Sequence, residues 1–189
     1  GAFFCDGLTI NGYLGSDGIL PFKNNCSQYD KTAFVLVKTS NPSSGELQDL
    51  TLSDGRKVYE AMADMVEGWG RENIGAYGYS NIGAVVGATY KEQAAELRRK
   101  YKNMFFLIPG YGAQGAGAED IEVSFDSRGL GGIVNASRSI LCAYKKPEYS
   151  HLEPEEAARK ECERMREDIV GCLKRHKKWD YENMGVKNA

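Results

Sequence analysis

The sequence predicts an α/β fold in which a parallel sheet forms part of a (β/α)8 barrel. Five short runs of apolar, β-branched or aromatic residues have the length of strands, and they cover residues 2–10, 33–37, 82–88, 104–108 and 132–136. Helical patterns separate several of these runs, which implies right-handed crossovers in a parallel sheet. An open doubly wound sheet fits this alternation equally well. A polar segment rich in glycine or serine follows each run, as at the functional face of a barrel, and it favours the barrel.

The first run begins at the second residue, with no polar leader or helix cap before it. We therefore expect the chain to begin inside a fold. A complete barrel has eight strands and typically ~250 residues, so the five strands predict that three are missing. Residues 1–189 are predicted to be a single domain, the carboxyl-terminal part of a barrel that supplies strands four to eight and their helices.

Helices are predicted after the second, third and fifth strands. After the second strand, apolar residues at spacings of three and four indicate an amphipathic helix: Val58, Met62, Met65, Val66 and Trp69. After the third, Thr89 and Glu92 match the Ser/Thr-x-x-Glu capping box of a shorter helix over residues 94–101. After the fifth, Pro154 suits the first turn of a long helix that runs to about residue 174. Its apolar stripe is predicted to be Ala158, Cys162, Met165, Ile169 and Cys172.

The composition excludes several classes of partner. The 189 residues include 24 basic and 26 acidic side chains, and the formal net charge of -2 gives no overall attraction to nucleic acid or to an anionic membrane. No apolar run approaches the ~18 residues that span a membrane, and the N-terminus lacks the features of a signal peptide. The five cysteines have no C-x-x-C spacing and indicate reduced thiols. We expect a cytoplasmic protein.

The segments after the fourth and fifth strands are candidates for a phosphate site. Residues 110–115 (GYGAQG) contain three glycines, whose backbone N–H groups can approach an anion closely, and Gln114 adds an amide donor. Ser137 and Arg138 add a hydroxyl and a guanidinium where a helix could begin. Barrels of this class often bind phosphate with the loops after strands seven and eight. The alternative is that the glycines only make a turn and that Arg138 pairs with a surface carboxylate.

The segments after the first two strands offer polar groups to a planar ligand. Thr39, Ser40 and Asn41 follow the second strand and could bind an amide edge, although a turn led by Asn41 and the next proline explains the spacing equally well. Thr9 and Asn11 close the first strand, and we include them among the predicted substrate contacts.

Metal and catalytic side chains are not evident. His151 and His176 lie in a charged region with no carboxylate or cysteine at metal-ligand spacing, so both are predicted to be surface residues and no metal site is expected. Asp30 and Lys31 precede their strand and therefore belong to the face opposite the functional one.

Five motifs occur in the order in which they occur in one enzyme family. They are residues 6–15 (DGLTINGYLG), 34–42 (FVLVKTSNP), 85–89 (VVGAT), 107–115 (LIPGYGAQG) and 134–140 (VNASRSI). On these motifs the chain resembles the longer, bacterial-type orotidine 5'-phosphate decarboxylases over nearly its whole length. It departs from the family pattern at Gly7, Gly12 and Tyr111, where alanine, proline and valine are expected.

The resemblance implies a TIM barrel that works as a homodimer and needs no cofactor or metal. It implies the conversion of orotidine 5'-monophosphate to UMP and CO2, the last step of de novo UMP synthesis. By position in the motifs, Ser40, with Thr39 beside it, contacts the pyrimidine. Gln114 bridges phosphate and base, and Arg138 with Ser137 holds the phosphate.

The family's catalytic Asp-x-Lys-x-x-Asp array does not occur in this sequence, and the resemblance implies that it lies upstream of Gly1. We therefore assign no catalytic residue and expect the chain alone to be inactive. Its expected partners are the nucleotide and either a second copy or the missing amino-terminal part of the barrel. One alternative is another phosphate-binding barrel lyase or isomerase, for which we find no Schiff-base lysine or general-base carboxylate at a strand end. The other is a non-catalytic fragment that binds nucleotide phosphate.

Overall fold

The computed structural model describes residues 4–112 and 115–179, and its centre is one parallel sheet. The strands are β1 (Gly7–Ile10), β2 (Thr32–Lys38), β3 (Ile82–Val86), β4 (Phe106–Pro109) and β5 (Gly132–Asn135). They lie in the order β1-β2-β3-β4-β5, and each pairs in parallel with the next. A doubly wound sheet reverses its strand order at a switch point, whereas a (β/α)8 barrel keeps chain order. The sheet is therefore part of a barrel, as the polar segments predicted.

Helices connect the strands. They are α1 (Ser16–Tyr29), α2 (Gly45–Gln48), α3 (Val58–Gly70), α4 (Lys91–Lys100), α5 (Ala118–Ile121), α6 (Ser137–Leu141) and α7 (Pro154–Arg175). Single 3-10 turns supplement them at Gly12–Leu14, Pro42–Ser44, Glu122–Ser124, Ala143–Lys145 and Pro147–Tyr149. In this described part of the chain, no helix combines the length and the apolarity that crossing a membrane requires.

The core lies between the sheet and its helices. All five residues of β3 are buried, which explains why its sequence is apolar without alternation. The buried side chains of Val35 on β2, Val66 on α3 and Phe106 on β4 belong to this core. The outer strands are less covered, and Leu8 on β1 and Ile133 on β5 are 48% and 51% exposed. The described residues thus form an open half-barrel.

A buried arginine ties together the turns that precede β4 and β5. The guanidinium of Arg98 donates to the carbonyls of Met104, Ser124 and Gly131 at 2.9, 2.7 and 2.7 Å. Its carbon lies 3.8 Å from the ring centre of Phe106. Burial lowers the pKa of Arg98 to about 10. The three carbonyls replace the water that this cation loses, so the amino-terminal ends of the two strands are fixed relative to each other.

Two predictions about elements were wrong, and helix α1 was not among the predicted helices. Buried Ile19 and Cys26 pack α1 into the core. The stripe of α7 is displaced, since Cys162 is exposed and the buried residues are Ala157, Glu161, Met165, Cys172 and Leu173. Pro154 does occupy the first turn, as predicted.

The second error concerns the capping box before α4. The N-cap is Tyr90, and no side chain caps this helix. The hydroxyl of Thr89 instead donates to the carbonyl of Ser40 at 3.2 Å, across the gap between two neighbouring loops. Thr89 therefore joins the segments after β2 and β3 rather than starting a helix.

Candidate functional site

The carboxyl ends of the five strands lie along one edge of the sheet, because every pair is parallel. All the predicted ligand-binding segments follow a strand and so share this edge. Two larger cavities, of ≈ 740 and ≈ 430 Å³, lie at the opposite edge, among residues that precede β3, β4 and β5. Functional sites of barrels lie at the carboxyl edge, so cavity size does not identify the site here.

The two predicted phosphate-binding segments come together. The loop after β4 and the loop after β5 enclose a cavity of ≈ 190 Å³, which is lined by Pro109, Gly110, Tyr111, Asn135, Ala136, Ser137 and Arg138. Gly110 and Gly112 have φ angles of 103° and 76°, which favour glycine. A Cβ on Gly112 would lie 2.8 Å from the hydroxyl of Ser139, so the first loop packs closely on α6.

Arg138 is available for a ligand. Its side chain is exposed, and within residues 4–112 and 115–179 its guanidinium forms no hydrogen bond or ion pair. The hydroxyl of Ser137 is likewise exposed and has no partner in that part of the chain. The surface carboxylate that would make Arg138 a simple ion pair is therefore not found there. Gln114, the third predicted phosphate contact, lies outside the described residues.

Tyr111 fastens the loop after β4 to α7. Its ring is 3% exposed, and its hydroxyl donates to a carboxylate oxygen of Asp168 on α7. Burial, followed by the contact with Asp168, raises the pKa of Tyr111 to about 12. A valine could not form this hydrogen bond. The departure from the family pattern therefore adds a polar connection between the loop and the last helix.

The loop after β2 is held by its own side chains. The backbone N–H of Thr39 donates to Oε1 of Gln48 at 2.9 Å, and Nε2 of Gln48 donates to the hydroxyl of Thr39 at 2.8 Å. That hydroxyl in turn donates to Oδ1 of Asn41 at 2.6 Å. Both polar groups of Thr39 are thus engaged within the loop. These contacts hold Thr39 in place within the loop.

Ser40 is fixed by a neighbouring backbone. A Cβ built on Gly87 would lie 2.7–2.8 Å from the N, Cα and Cβ atoms of Ser40, so only glycine permits this approach. The carbonyl of Ser40 accepts from Thr89. Its hydroxyl has no partner among the described residues and remains available to a ligand. The role of Gly87 was missed, although its position in the VVGAT motif was a signal.

Lys38, which was not a predicted site residue, anchors the same loop. Its side chain is fully buried, and Nζ lies 2.8 and 2.9 Å from the two carboxylate oxygens of Asp49. Nζ also lies 3.4 Å from the hydroxyl of Ser44 and 4.2 Å from the ring centre of Tyr90. Because its charge is matched in this way, we read Lys38 as a structural cation that closes residues 39–49 onto the sheet.

The segment after β1 contributes less. Oδ1 of Asn11 accepts from the backbone N–H of Tyr13 at 3.0 Å and so caps the 3-10 turn that follows. Thr9 is exposed, and its hydroxyl has no partner in the described part of the chain. The described residues that line the cavity between the loops after β4 and β5 do not include Thr9 or Asn11, and they do not include Thr39 or Ser40. Of the predicted contacts, this lining includes Ser137 and Arg138.

Comparison with known proteins identifies the family. The model of the orotidine 5'-phosphate decarboxylase / HUMPS family matches residues 2–151. The chain is 50% identical over 151 residues to an orotidine 5'-phosphate decarboxylase of Caldicellulosiruptor saccharolyticus, a match that covers 80% of this chain and 49% of that protein.

Solved structures agree in fold. An orotidine 5'-monophosphate decarboxylase structure from Leishmania donovani has a TM-score of 0.64 at 32% identity, over 87% of this chain and 58% of that one. A UMP synthase structure from the same organism has a TM-score of 0.66 at 34% identity, over 88% of this chain and 34% of that one. The chain spans about half the length of the curated relatives it matches. With its half-barrel and its five ordered motifs, it belongs to the orotidine 5'-phosphate decarboxylase / HUMPS family.

Proposed function

We propose that this chain forms the nucleotide-holding half of an enzyme that decarboxylates orotidine 5'-monophosphate to UMP. The observation that carries the proposal is the cavity between the loops after β4 and β5, with the exposed guanidinium of Arg138 at its wall. A guanidinium without a protein partner is suited to a phosphate, which it can bind through two parallel hydrogen bonds. The close relatives named as this decarboxylase support the substrate class.

The proposed division of labour separates binding from bond breaking. Loss of CO2 leaves negative charge at the ring carbon, and in the resembled family a lysine held among aspartates stabilises and protonates that carbon. The 189 residues contain no Asp-x-Lys-x-x-Asp array, and Lys38 is already bound to Asp49. This half contributes binding energy far from the reacting carbon, which holds the ring in place for the chemistry.

Isothermal titration of UMP and of uridine into the 189-residue chain tests the phosphate site. UMP should bind more tightly than uridine, and Arg138→Ala should weaken UMP binding about 10–100-fold, the loss of one or two charge-assisted hydrogen bonds. Uridine binding should be unchanged. Arg166→Ala, at an exposed position on α7, is the matched control and should bind UMP like the parent chain. Equal affinity for UMP and uridine would overturn the proposed site.

A second measurement tests the division of labour. The purified 189-residue chain, incubated with orotidine 5'-monophosphate, should release no UMP beyond the uncatalysed background. Sustained UMP formation would show that a catalytic group lies within these residues.

We also propose that a second copy of the chain, or a chain that supplies further strands, covers the open half-barrel. The outer edges of β1 and β5 pair with no strand among the described residues, and Leu8 and Ile133 there are about half exposed. Unpaired edges of this kind favour association. If a second copy covers the half-barrel, light scattering on the purified chain should give a mass of at least two chains. A strictly monomeric mass at micromolar concentration would contradict self-association and leave the covering role to a chain that supplies further strands.

A further inference from the structure

Three side chains of metal-binding type meet where the last turn of α7 packs near α5. Cys172 and His176 are four residues apart and therefore lie on the same face of the helix end. Glu119 reaches them from α5. One ligand atom of each residue lies within 4.8 Å of the other two, and within residues 4–112 and 115–179 no other group of three such side chains is this close. The prediction that no cysteine lies at metal-ligand spacing from His176 was wrong, because Cys172 precedes His176 by one helical turn.

The imidazole of His176 presents one ring nitrogen to Glu119 and the other to Glu122. Nε2 of His176 lies 2.7 Å from Oε2 of Glu119, and Nδ1 faces Oε1 of Glu122 at 3.9 Å. Glu122 is held in turn by Lys178, whose Nζ lies 2.8 Å from its Oε2. A histidine that binds a metal through one ring nitrogen commonly directs the other toward a carboxylate, and Glu122 is placed for that second role.

The three ligand atoms are of the types that bind zinc, and two of the three side chains are exposed. Thiolate sulfur, imidazole nitrogen and carboxylate oxygen are the three ligand types of Zn2+, and tetrahedral coordination places such atoms about 3.3–3.8 Å apart. Cys172 is fully buried and fixed, whereas the side chains of His176 and Glu119 are 40% and 55% exposed. Coordination requires the two exposed side chains to rotate, and their exposure leaves room for this. A water molecule would complete the shell.

The surrounding charges set the strength of the site. The 22-residue α7 ends here, and the carbonyls of its last turn favour a cation. Arg175 opposes this effect, because its Nη2 lies 2.7 Å from Oε1 of Glu119. That contact leaves Oε2 to the metal, so one carboxylate can serve the guanidinium and the ion together. Removing the guanidinium should therefore strengthen metal binding.

We propose that Glu119, Cys172 and His176 form a Zn2+ site that joins α5 to the end of α7. Because α5 directly follows the loop after β4, the ion would stabilise the base of the segment that lines the phosphate cavity. The site uses no residue of that cavity and is independent of the proposed enzymatic function.

Cobalt titration of the chelator-treated 189-residue chain tests the proposal. Co2+ should bind one to one, with the near-ultraviolet absorption of a cobalt–thiolate bond, and Zn2+ should displace it. Zn2+ at ~100 times its Kd should raise the Tm by about 5 °C or more. His176→Gln and Glu119→Gln should each abolish one-to-one binding while circular dichroism shows an unchanged fold. Arg175→Gln should tighten Zn2+ binding severalfold.

Two variants serve as controls. The chain has one other histidine, and His151→Gln should bind Co2+ like the parent; Cys162→Ser, at an exposed cysteine of the same helix, should do the same. Cys172→Ser should remove the thiolate absorption. If the loss of this buried thiol unfolds the chain, His176→Gln and Glu119→Gln still test the site, because both side chains are exposed. Binding without thiolate absorption, or equal binding by His176→Gln and the parent, would overturn the site.

Discussion

Two cations at the carboxyl edge of the sheet, Lys38 and Arg138, have opposite surroundings. Lys38 is fully buried and its ammonium is matched by Asp49, whereas Arg138 is exposed and its guanidinium has no partner among the described residues. Burying a charge is costly unless a partner compensates it, so Lys38 has no charge to spare for a ligand. The exposed guanidinium of Arg138, beside a cavity, can bind an anionic ligand. The motif predicted Arg138 as a phosphate contact, but it could not show that Lys38 is buried and paired.

Replacing Lys38 should therefore reduce stability. Lys38→Met keeps most of the side-chain volume and leaves Asp49 without its partner; since Asp49 is 35% exposed, water recovers part of the loss. We expect the free energy of unfolding to fall by about 2 kcal/mol in urea denaturation. Lys31→Met is the matched control, because its ion pair with Asp6 is exposed and should contribute less than about 1 kcal/mol. Equal losses in the two variants would contradict the role assigned to Lys38.

Tyr111→Phe isolates the hydrogen bond that joins the loop after β4 to α7. The ring stays in place while the acceptor on Asp168 loses its donor, so the free energy of unfolding should fall by about 1 kcal/mol. UMP affinity should fall as well, since the loop that lines the phosphate cavity loses a support. Tyr13→Phe, at a side chain that is 79% exposed, should change neither quantity. A Tyr111→Phe protein with unchanged stability and affinity would rule out this connection.

At the scale of elements, the segments between β2 and β4 show what the sequence could and could not predict. The five strands were predictable from apolar runs, most clearly β3, whose five residues are all buried. The loops were predictable only as polar segments, because their partners are distant in the chain: Thr89 was placed in a capping box but bonds Ser40, 49 residues away.

The close approach of β3 and the loop after β2 gives an element-scale prediction. In Gly87→Ala the new methyl group would overlap Ser40, so the loop must shift, with a loss of about 1–3 kcal/mol in the free energy of unfolding. UMP and uridine binding should both weaken, since Ser40 is the predicted pyrimidine contact. Gly68→Ala in α3 is the control: nothing lies within 4 Å of its new Cβ, and helix propensity should raise stability by up to about 1 kcal/mol. Unchanged binding in Gly87→Ala would contradict the placement of Ser40.

Helix α7 should make the fold sensitive to acid. Hydrogen bonds from Arg164, and then from Lys146, lower the pKa of the buried Glu161 from its ordinary value to about 2. A lowered folded-state pKa gives stability that is present above about pH 4.5 and is lost as the pH falls toward 2. Glu161→Gln should therefore show a shallower decline in the free energy of unfolding between these pH values. Glu163→Gln, an exposed neighbour on the same helix, should keep the parent slope; equal slopes for the parent and Glu161→Gln would contradict this prediction.

At the scale of the whole molecule, the half-barrel has two chemically different edges. The amino edge has the larger cavity, and its lining includes the basic residues Arg99, Lys102 and Arg128. Arg128 is already bound to Asp126 and Tyr79, with its Nη2 3.0 Å from an oxygen of each. The carboxyl edge has the smaller cavity and the guanidinium of Arg138. Strand order, which the sequence predicted in outline, decides between the edges, because barrels bind ligands where the strands end.

The most direct test of this account is to map UMP onto the 189-residue chain by the chemical shifts of its backbone amides. We predict that the largest changes occur at residues 110–112 and 137–139, and that uridine, which lacks the phosphate, fails to produce them. Largest changes at residues 99–103 and 126–128, around the cavity at the amino edge, would contradict the central claim that the loops after β4 and β5 hold the phosphate.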